Sequence, residues 1–239
     1  WLNNRSESAN HQLHDVVSGT TLALTSDENY AGSDMSANFT GFASDGFNLA
    51  GSANTHNDNG ESYYAHGWKA GGATTTDVAE SGSGTSRINQ SSRSVNTTAG
   101  FSLIKYVGSN DEISNGQHTK VHHGLSSPPT TIWIKNLSDT DSWHVAGDWM
   151  MHSGTVHGFN DFTMPLDTTG AYSGSYYMGT TDPDSTYIYL GNASQINDDG
   201  ENFICYAWHE VEGFSKFGAY YANGSTNGPF IYTGFKPQW

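Results

Sequence analysis

Short apolar runs recur along the chain, each closed off by Gly, Ser, Thr, Asn or Asp. The clearest are FSLIKYV (101–107), TTIWIK (130–135), STYIYLG (185–191), ENFICYAW (201–208) and GPFIYTGF (228–235). They are rich in aromatic and β-branched residues, which suit a pleated surface, and turn formers interrupt them about every eight to twelve residues. No window sustains apolar residues at i, i+3, i+4 and i+7, so the pattern predicts an all-β protein with few helices. SDGF (44–47), NDNGE (57–61) and NDDGE (197–201) fall between strand candidates and read as hairpin turns.

The two Asn-Asp turns belong to a longer repeat. LAGSANTHNDNGESYYAHGWKAGG (49–72) lies over LGNASQINDDGENFICYAWHEVEG (190–213), with Glu61 over Glu201. WLNNRS (1–6) lies over WIKNLS (133–138), GFSLIKYVGSN (100–110) over GFSKFGAYYANGS (213–225), and HHGLSSPPT (122–130) over YTGFKPQW (232–239). Such a tandem repeat is one supersecondary plan used twice. Residues 100–212 hold a complete unit. Residues 1–72 hold a unit without its first strands, and 213–239 hold first strands without the rest. An unfinished sheet exposes its edge. The expectation is that 213–239 completes the 1–72 unit, in cis or from the next copy of the chain. Residues 73–99 are poor in large apolar side chains and read as a loop or linker.

Composition narrows the function classes. Nine Lys plus Arg against 24 Asp plus Glu leave a formal charge of −15. No basic face for nucleic acid or an anionic membrane is available from so few cations. An acidic, Lys-poor surface suits a saline extracellular setting. Aromatic residues make up 13% of the chain, which argues against disorder. No apolar run approaches the ~18 residues of a membrane span, so membrane insertion is not expected. The chain opens on Trp1 rather than Met, which leaves secretion open. The single cysteine, Cys205, excludes an internal disulfide framework and reads as a small buried hydrophobe.

SDGF, NDNGESYYAHGWKAGG, NTTAGFSLIKYVG, HHGL-x-x-PP and EVEGFSKFGAYYANGSTNGPFIYTGFKP together resemble a repeated domain of marine, cyanophage-like viruses, found in tail-fibre-like and other virion structural proteins. The resemblance covers nearly the whole chain and is weakest over 139–183, whose counterpart is about eight residues shorter. It implies two tandem lectin-like β-sandwiches of the concanavalin or laminin-G (jelly-roll) kind, displayed on a virus particle. It lends no catalytic residue.

Candidate chemistry is sparse. Asn57, Asp58, Asn59 and Glu61, and Asn197, Asp198, Asp199 and Glu201, offer oxygen ligands of the type Ca²⁺ takes, although turn formation explains the same residues. No cofactor is otherwise expected. Trp143, His144, Asp148, Trp149 and His152 crowd one segment and combine stacking rings with hydroxyl-binding polar groups, as glycan sites do; sandwich core is the competing reading. Trp68 and Trp208 read as core anchors, with sugar stacking as the alternative. Glu210 and Glu212, if on a strand, point to one face roughly 7 Å apart, a separation that serves glycoside hydrolysis. Their counterparts are Ala70 and Gly72, so the pair lies outside the repeated plan. His122-His123 offers a weak Zn²⁺ reading. No GxSxG, P-loop, CxxC or HExxH string occurs.

The function expected is a non-catalytic virion module, in a tail fibre or capsid appendage, that self-associates and contributes to attachment at a host surface. Its expected partners are its own copies, other virion proteins and host-surface glycans. A carbohydrate-binding lectin is the alternative, and a polysaccharide hydrolase a third.

Overall fold

The computed structural model describes residues 1–71, 74–82, 87–111, 119–152, 155–170, 173–174 and 177–237. Its strands are β1 (Leu2–Asn4), β2 (Gln12–Leu13), β3 (Leu22–Thr25), β4 (Ser33–Asp34), β5 (Phe39–Phe42), β6 (Phe47–Leu49), β7 (Tyr63–Ala65), β8 (Thr75–Val78), β9 (Ser91–Asn96), β10 (Phe101–Val107), β11 (Thr119–His122), β12 (Thr131–Asn136), β13 (His144–Gly147), β14 (Met150–His152), β15 (Thr155–His157), β16 (Phe162–Pro165), β17 (Ser173–Gly174), β18 (Tyr187–Leu190) and β19 (Asn202–Trp208). One helical turn, α1 (Ser194–Asn197), precedes β19. The fold is all-β, with several sheets, none of them closed.

The largest sheet runs β17-β16-β13-β12-β19-β10-β9-β8, and a second runs β4-β3-β2-β1-β7. β19 is the hub, pairing antiparallel with both β10 and β12. Side chains alternate across a strand, and both faces of β19 are buried. Phe203, Cys205 and Ala207 enter a cluster with Ile104, Tyr106, Val121, Ile134, Ile188 and Leu190, so the β11–β18 pair covers that face. Ile204, Tyr206 and Trp208 enter another with Leu13 and Leu24 of the second sheet. Two hydrogen bonds tie that interface: the Trp143 indole donates to Thr25 O at 2.8 Å, and the Tyr206 hydroxyl to Asp15 Oδ2 at 3.0 Å.

The repeat in sequence is a repeat in register. Leu2, Asn3 and Asn4 pair with Ala65, Tyr64 and Tyr63, as Ile134, Lys135 and Asn136 pair with Cys205, Ile204 and Phe203. Asn4 Oδ1 accepts from Ser6 N at 2.8 Å, and Asn136 Oδ1 from Ser138 N at 2.8 Å. Ser62 N donates to Ser6 Oγ at 2.9 Å, and Asn202 N to Ser138 Oγ at 3.0 Å. The NDxGE turns match too, each with a left-handed glycine, Gly60 at φ 87° and Gly200 at φ 77°, where a side chain would be strained. Further out, Leu22 and Ala23 pair with Asp34 and Ser33, as Phe162 and Thr163 pair with Gly174 and Ser173. The second copy is longer between its paired positions 145 and 164 than the first between 13 and 24, and its extra length carries the β14–β15 hairpin.

Two stretches differ from expectation. Residues 73–99, read as a linker, contain β8 and β9, and β9 pairs along the free side of β10. Its two fully buried positions are Ser91 and Ser94, on opposite faces. A strand that buries small hydroxyls escapes a search keyed to large apolar residues. Conversely, the described residues 216–237, read as first strands, form no strand.

Candidate functional site: an open sheet edge, an apolar cleft and an exposed aromatic segment

In the second copy, β19 has β12 on one side and β10 on the other. In the first, β7 has β1 on one side and, among the described residues, ends the sheet. Beside that edge lies a cleft of about 230 Å³, lined among others by Leu2, Phe39, Phe42, Phe47, Ala65 and Trp68. Phe42 and Phe47 are 44% and 40% exposed. The equivalent space in the second copy is filled by Ile104 and Tyr106 of β10 and Val121 of β11, none more than 1% exposed.

Asn57 and Asn197 report the same difference. Asn197 is fully buried. Its Oδ1 accepts from Ser109 N at 3.0 Å and Asn89 Nδ2 at 3.3 Å, while its Nδ2 donates to Thr119 Oγ1 at 2.9 Å and Gly191 O at 2.8 Å. Asn57 is exposed and keeps the last of these, donating to Gly51 O at 3.0 Å. Ser109 follows β10 and Thr119 begins β11, so two of the three partners it lacks are supplied by the first strands of a unit; the third, Asn89, precedes β9.

The floor of the cleft is polar where its counterpart is apolar. His14 and His56 occupy the positions of Ala146 and Ile196, and their Nε2 atoms are 2.8 Å apart. One ring donates and the other accepts, which requires the accepting imidazole to be neutral. Burial, reinforced by His56, pushes the His14 pKa down to about 4, and burial lowers His56 as well. His14 also stacks on Phe39, ring centres 4.0 Å apart. Sequence reading missed this pair because the two residues lie far apart in the chain.

Beyond Phe217, which packs against Trp208 at 6.1 Å, the segment that matches β10 and β11 in sequence lies in solvent. Phe214, Tyr220, Tyr221, Phe230, Ile231 and Tyr232 are 45% to 89% exposed. Its turn glycines keep the left-handed values of their counterparts, Gly213 at φ 74° against Gly100 at 65°, and Gly234 at 82° against Gly124 at 71°. Its root is held by Glu210, which accepts from Phe217 N at 3.0 Å and Lys216 Nζ at 2.8 Å.

A family model matches the chain over residues 1–239, under the description "Domain of unknown function (DUF7483)". The chain belongs to the DUF7483 family. No curated protein matches it. No solved structure matches it.

The remaining candidates of this DUF7483 chain do not converge on one surface. Trp143 is wholly buried, with its indole N–H spent on Thr25 O. His144 is buried, stacks on Tyr177 at 4.2 Å and has its pKa pushed down to about 4, by burial first and Lys135 second. Trp149 donates to Thr131 Oγ1. Asp148 is exposed, and its pKa is raised by partial burial and then by Glu210. The side chain of His152 lies outside the described residues. Among the turn residues, Asp198 Oδ1 accepts from Asp199 N at 3.1 Å, Asp58 Oδ1 from Asn59 N at 2.8 Å, and Glu201 Oε2 from Asn136 Nδ2 at 2.6 Å. Glu61 keeps one buried carboxylate oxygen without a hydrogen bond. Among the described residues no group of three His, Cys, Asp or Glu is placed to hold a metal ion. Glu210 and Glu212 fall beyond the end of β19, so no strand aligns them, and Glu210 is committed to the 216–217 clamp. Cys205 is buried, with its thiol pKa raised by burial. No helix among the described residues is long and apolar enough to cross a membrane.

Proposed function

We propose that the chain is a non-catalytic structural module of a virus particle, built into a tail fibre or capsid appendage that faces the extracellular medium and contributes to host-surface attachment. The observation that carries this reading is the presence in one chain of an open sheet edge beside an apolar cleft and of an exposed aromatic segment. Such surfaces serve assembly. The resemblance of the GFSKFG and GPFIYTGFKP strings to virion proteins supplies the setting, and the net charge of −15 keeps such a surface soluble. Each unit of the repeat is read as a lectin-like sandwich, the second complete and the first awaiting its opening strands. Immunogold labelling of particles whose genome encodes the chain tests the reading. Label on a particle appendage is expected; label confined to unassembled protein would overturn it.

One observation favours a second reading, glycan binding. A cavity of about 310 Å³ is lined by Trp1, Trp68 and Trp133 with His11, Ser26, Asp27 and Leu166. Indole faces beside hydroxyl-binding groups suit a sugar ring. Tryptophan fluorescence titrated with host polysaccharide to millimolar levels tests it, and an unchanged spectrum dismisses it.

A further inference from the structure

We infer that the cleft beside β7 is the seat of residues 213–235 from a second copy of the chain, which add a strand antiparallel to β7. The inference rests on the self-assembling reading above and names its partner. The second half of the chain shows what fills this place. There Phe101, Ser102 and Ile104 lie opposite Trp208, Ala207 and Cys205. Carried through the repeat, Phe214 lies opposite Trp68, Ser215 opposite Gly67, and Phe217 opposite Ala65. Farther along, Val121 of β11 lies opposite Ile188 of β18 and is 1% exposed. Its counterpart, Ile231, is 45% exposed. Seating buries it against β6, where Phe47 now faces solvent.

Strand addition of this kind takes its affinity from main-chain hydrogen bonds and its specificity from side chains entering pockets. Both halves of the match are present. β7 offers an edge that no strand among the described residues pairs with, and the segment offers aromatic residues at the spacing of the strands it would replace. Within one copy the segment's root is clamped at Glu210 and Phe217 leans on Trp208, ring centres 6.1 Å apart, while its other large apolar residues, Phe214, Tyr220, Tyr221, Phe230, Ile231 and Tyr232, stand in solvent and the copy's own cleft remains open. Donation to the next copy fills the cleft and covers the segment at once. Because the donating and accepting surfaces differ, the contact is head-to-tail, and repetition gives a ring or a filament.

Disulfide trapping between full-length chains tests this. Gly67 is exposed, and a Cβ there meets nothing within 4 Å. One chain carries Gly67→Cys; a second, isotopically labelled, carries Ser215→Cys. The native Cys205 is buried and does not compete. The expected result is a cross-link between positions 67 and 215 of different chains, identified by peptide mass. It should fall at least about tenfold when the second chain also carries Ile231→Asp, a change at an exposed site whose own melting temperature should stay unmoved. Absence of the cross-link overturns the inference. So does a cross-link undiminished by Ile231→Asp. A third contrary result is a chain with both cysteines that closes only on itself, which would mean seating in cis. Failure here leaves particle labelling untouched, and failure of labelling leaves the cross-link untouched.

Discussion

The two halves of this chain share strand register, turn geometry and capping hydrogen bonds, yet one is filled and the other is open. In the second half β10 and β11 deliver Ile104, Tyr106 and Val121 to a buried apolar cluster, and the Asn197 side chain has four partners. In the first half the same positions lack those strands, Asn57 faces water, and a histidine pair, His56 buried and His14 half-buried, stands where Ile196 and Ala146 stand in its twin. Local plan and completed core are therefore separable. The NDxGE turn and the W-x-x-N strand form without the first strands, whereas burial of what lies behind them does not.

Matched substitutions put that contrast to the test. The largest difference is expected at Phe203 and Tyr63, which share a register position. Phe203 is fully buried and stacks on Tyr106 at 5.2 Å, so Phe203→Ala should cost about 3–5 kcal/mol in urea unfolding. Tyr63 is partly exposed, and Tyr63→Ala should cost about 1–2 kcal/mol, mainly through its hydroxyl bonds to Asn54 O and Asp58 N. Equal costs would erase the contrast.

Next come the asparagines. Asn197→Ala strands Ser109 N and Thr119 Oγ1 inside the protein and should cost about 2–4 kcal/mol, while Asn57→Ala should stay within about 0.5 kcal/mol. A similar loss at both sites would mean that Asn57 is buried in solution.

Acid should weaken both halves. The His14 and His144 pKa values are pushed down to about 4, whereas an unfolded imidazole titrates near 6.5. Between those values the unfolded chain binds more protons, so stability is full above pH 6.5 and declines as pH falls towards 4. For buried His144 the loss is on the order of 3 kcal/mol by pH 4. Urea midpoints at pH 7.5 and 4.5 check it, and a flat profile would contradict the burial of His144.

The smallest effect concerns the interface between the halves. Tyr206→Phe removes the hydroxyl bond to Asp15 but leaves that carboxylate its bonds from Ser18 and Val17, so about 1 kcal/mol should be lost. No change would mean that the two sheets are not held by this contact.

Much of the fold was legible in sequence, for specific reasons. Turn glycines and Asn-Asp pairs are local signals, so the repeat and its hairpins could be read directly. β8 and β9 were hidden because the fully buried residues of β9 are serines, which carry no hydrophobic signal. The crowd of Trp143, His144 and Trp149 suggested a surface site, but burial is decided by what packs across the sheet. Trp143 reaches Thr25, more than a hundred residues away in the chain. The His14–His56 pair was invisible for the same reason. Nor could sequence place residues 213–235, because matching a strand's pattern does not say which sheet receives it.

Hydrogen–deuterium exchange on the full-length chain at a series of concentrations tests the central claim most directly. If the open half is completed by the C-terminal segment of another copy, the amides of 213–235 and of β7 gain protection together as concentration rises. Amides that exchange freely in both segments at every concentration would contradict the account, as would protection that persists unchanged on dilution to isolated chains.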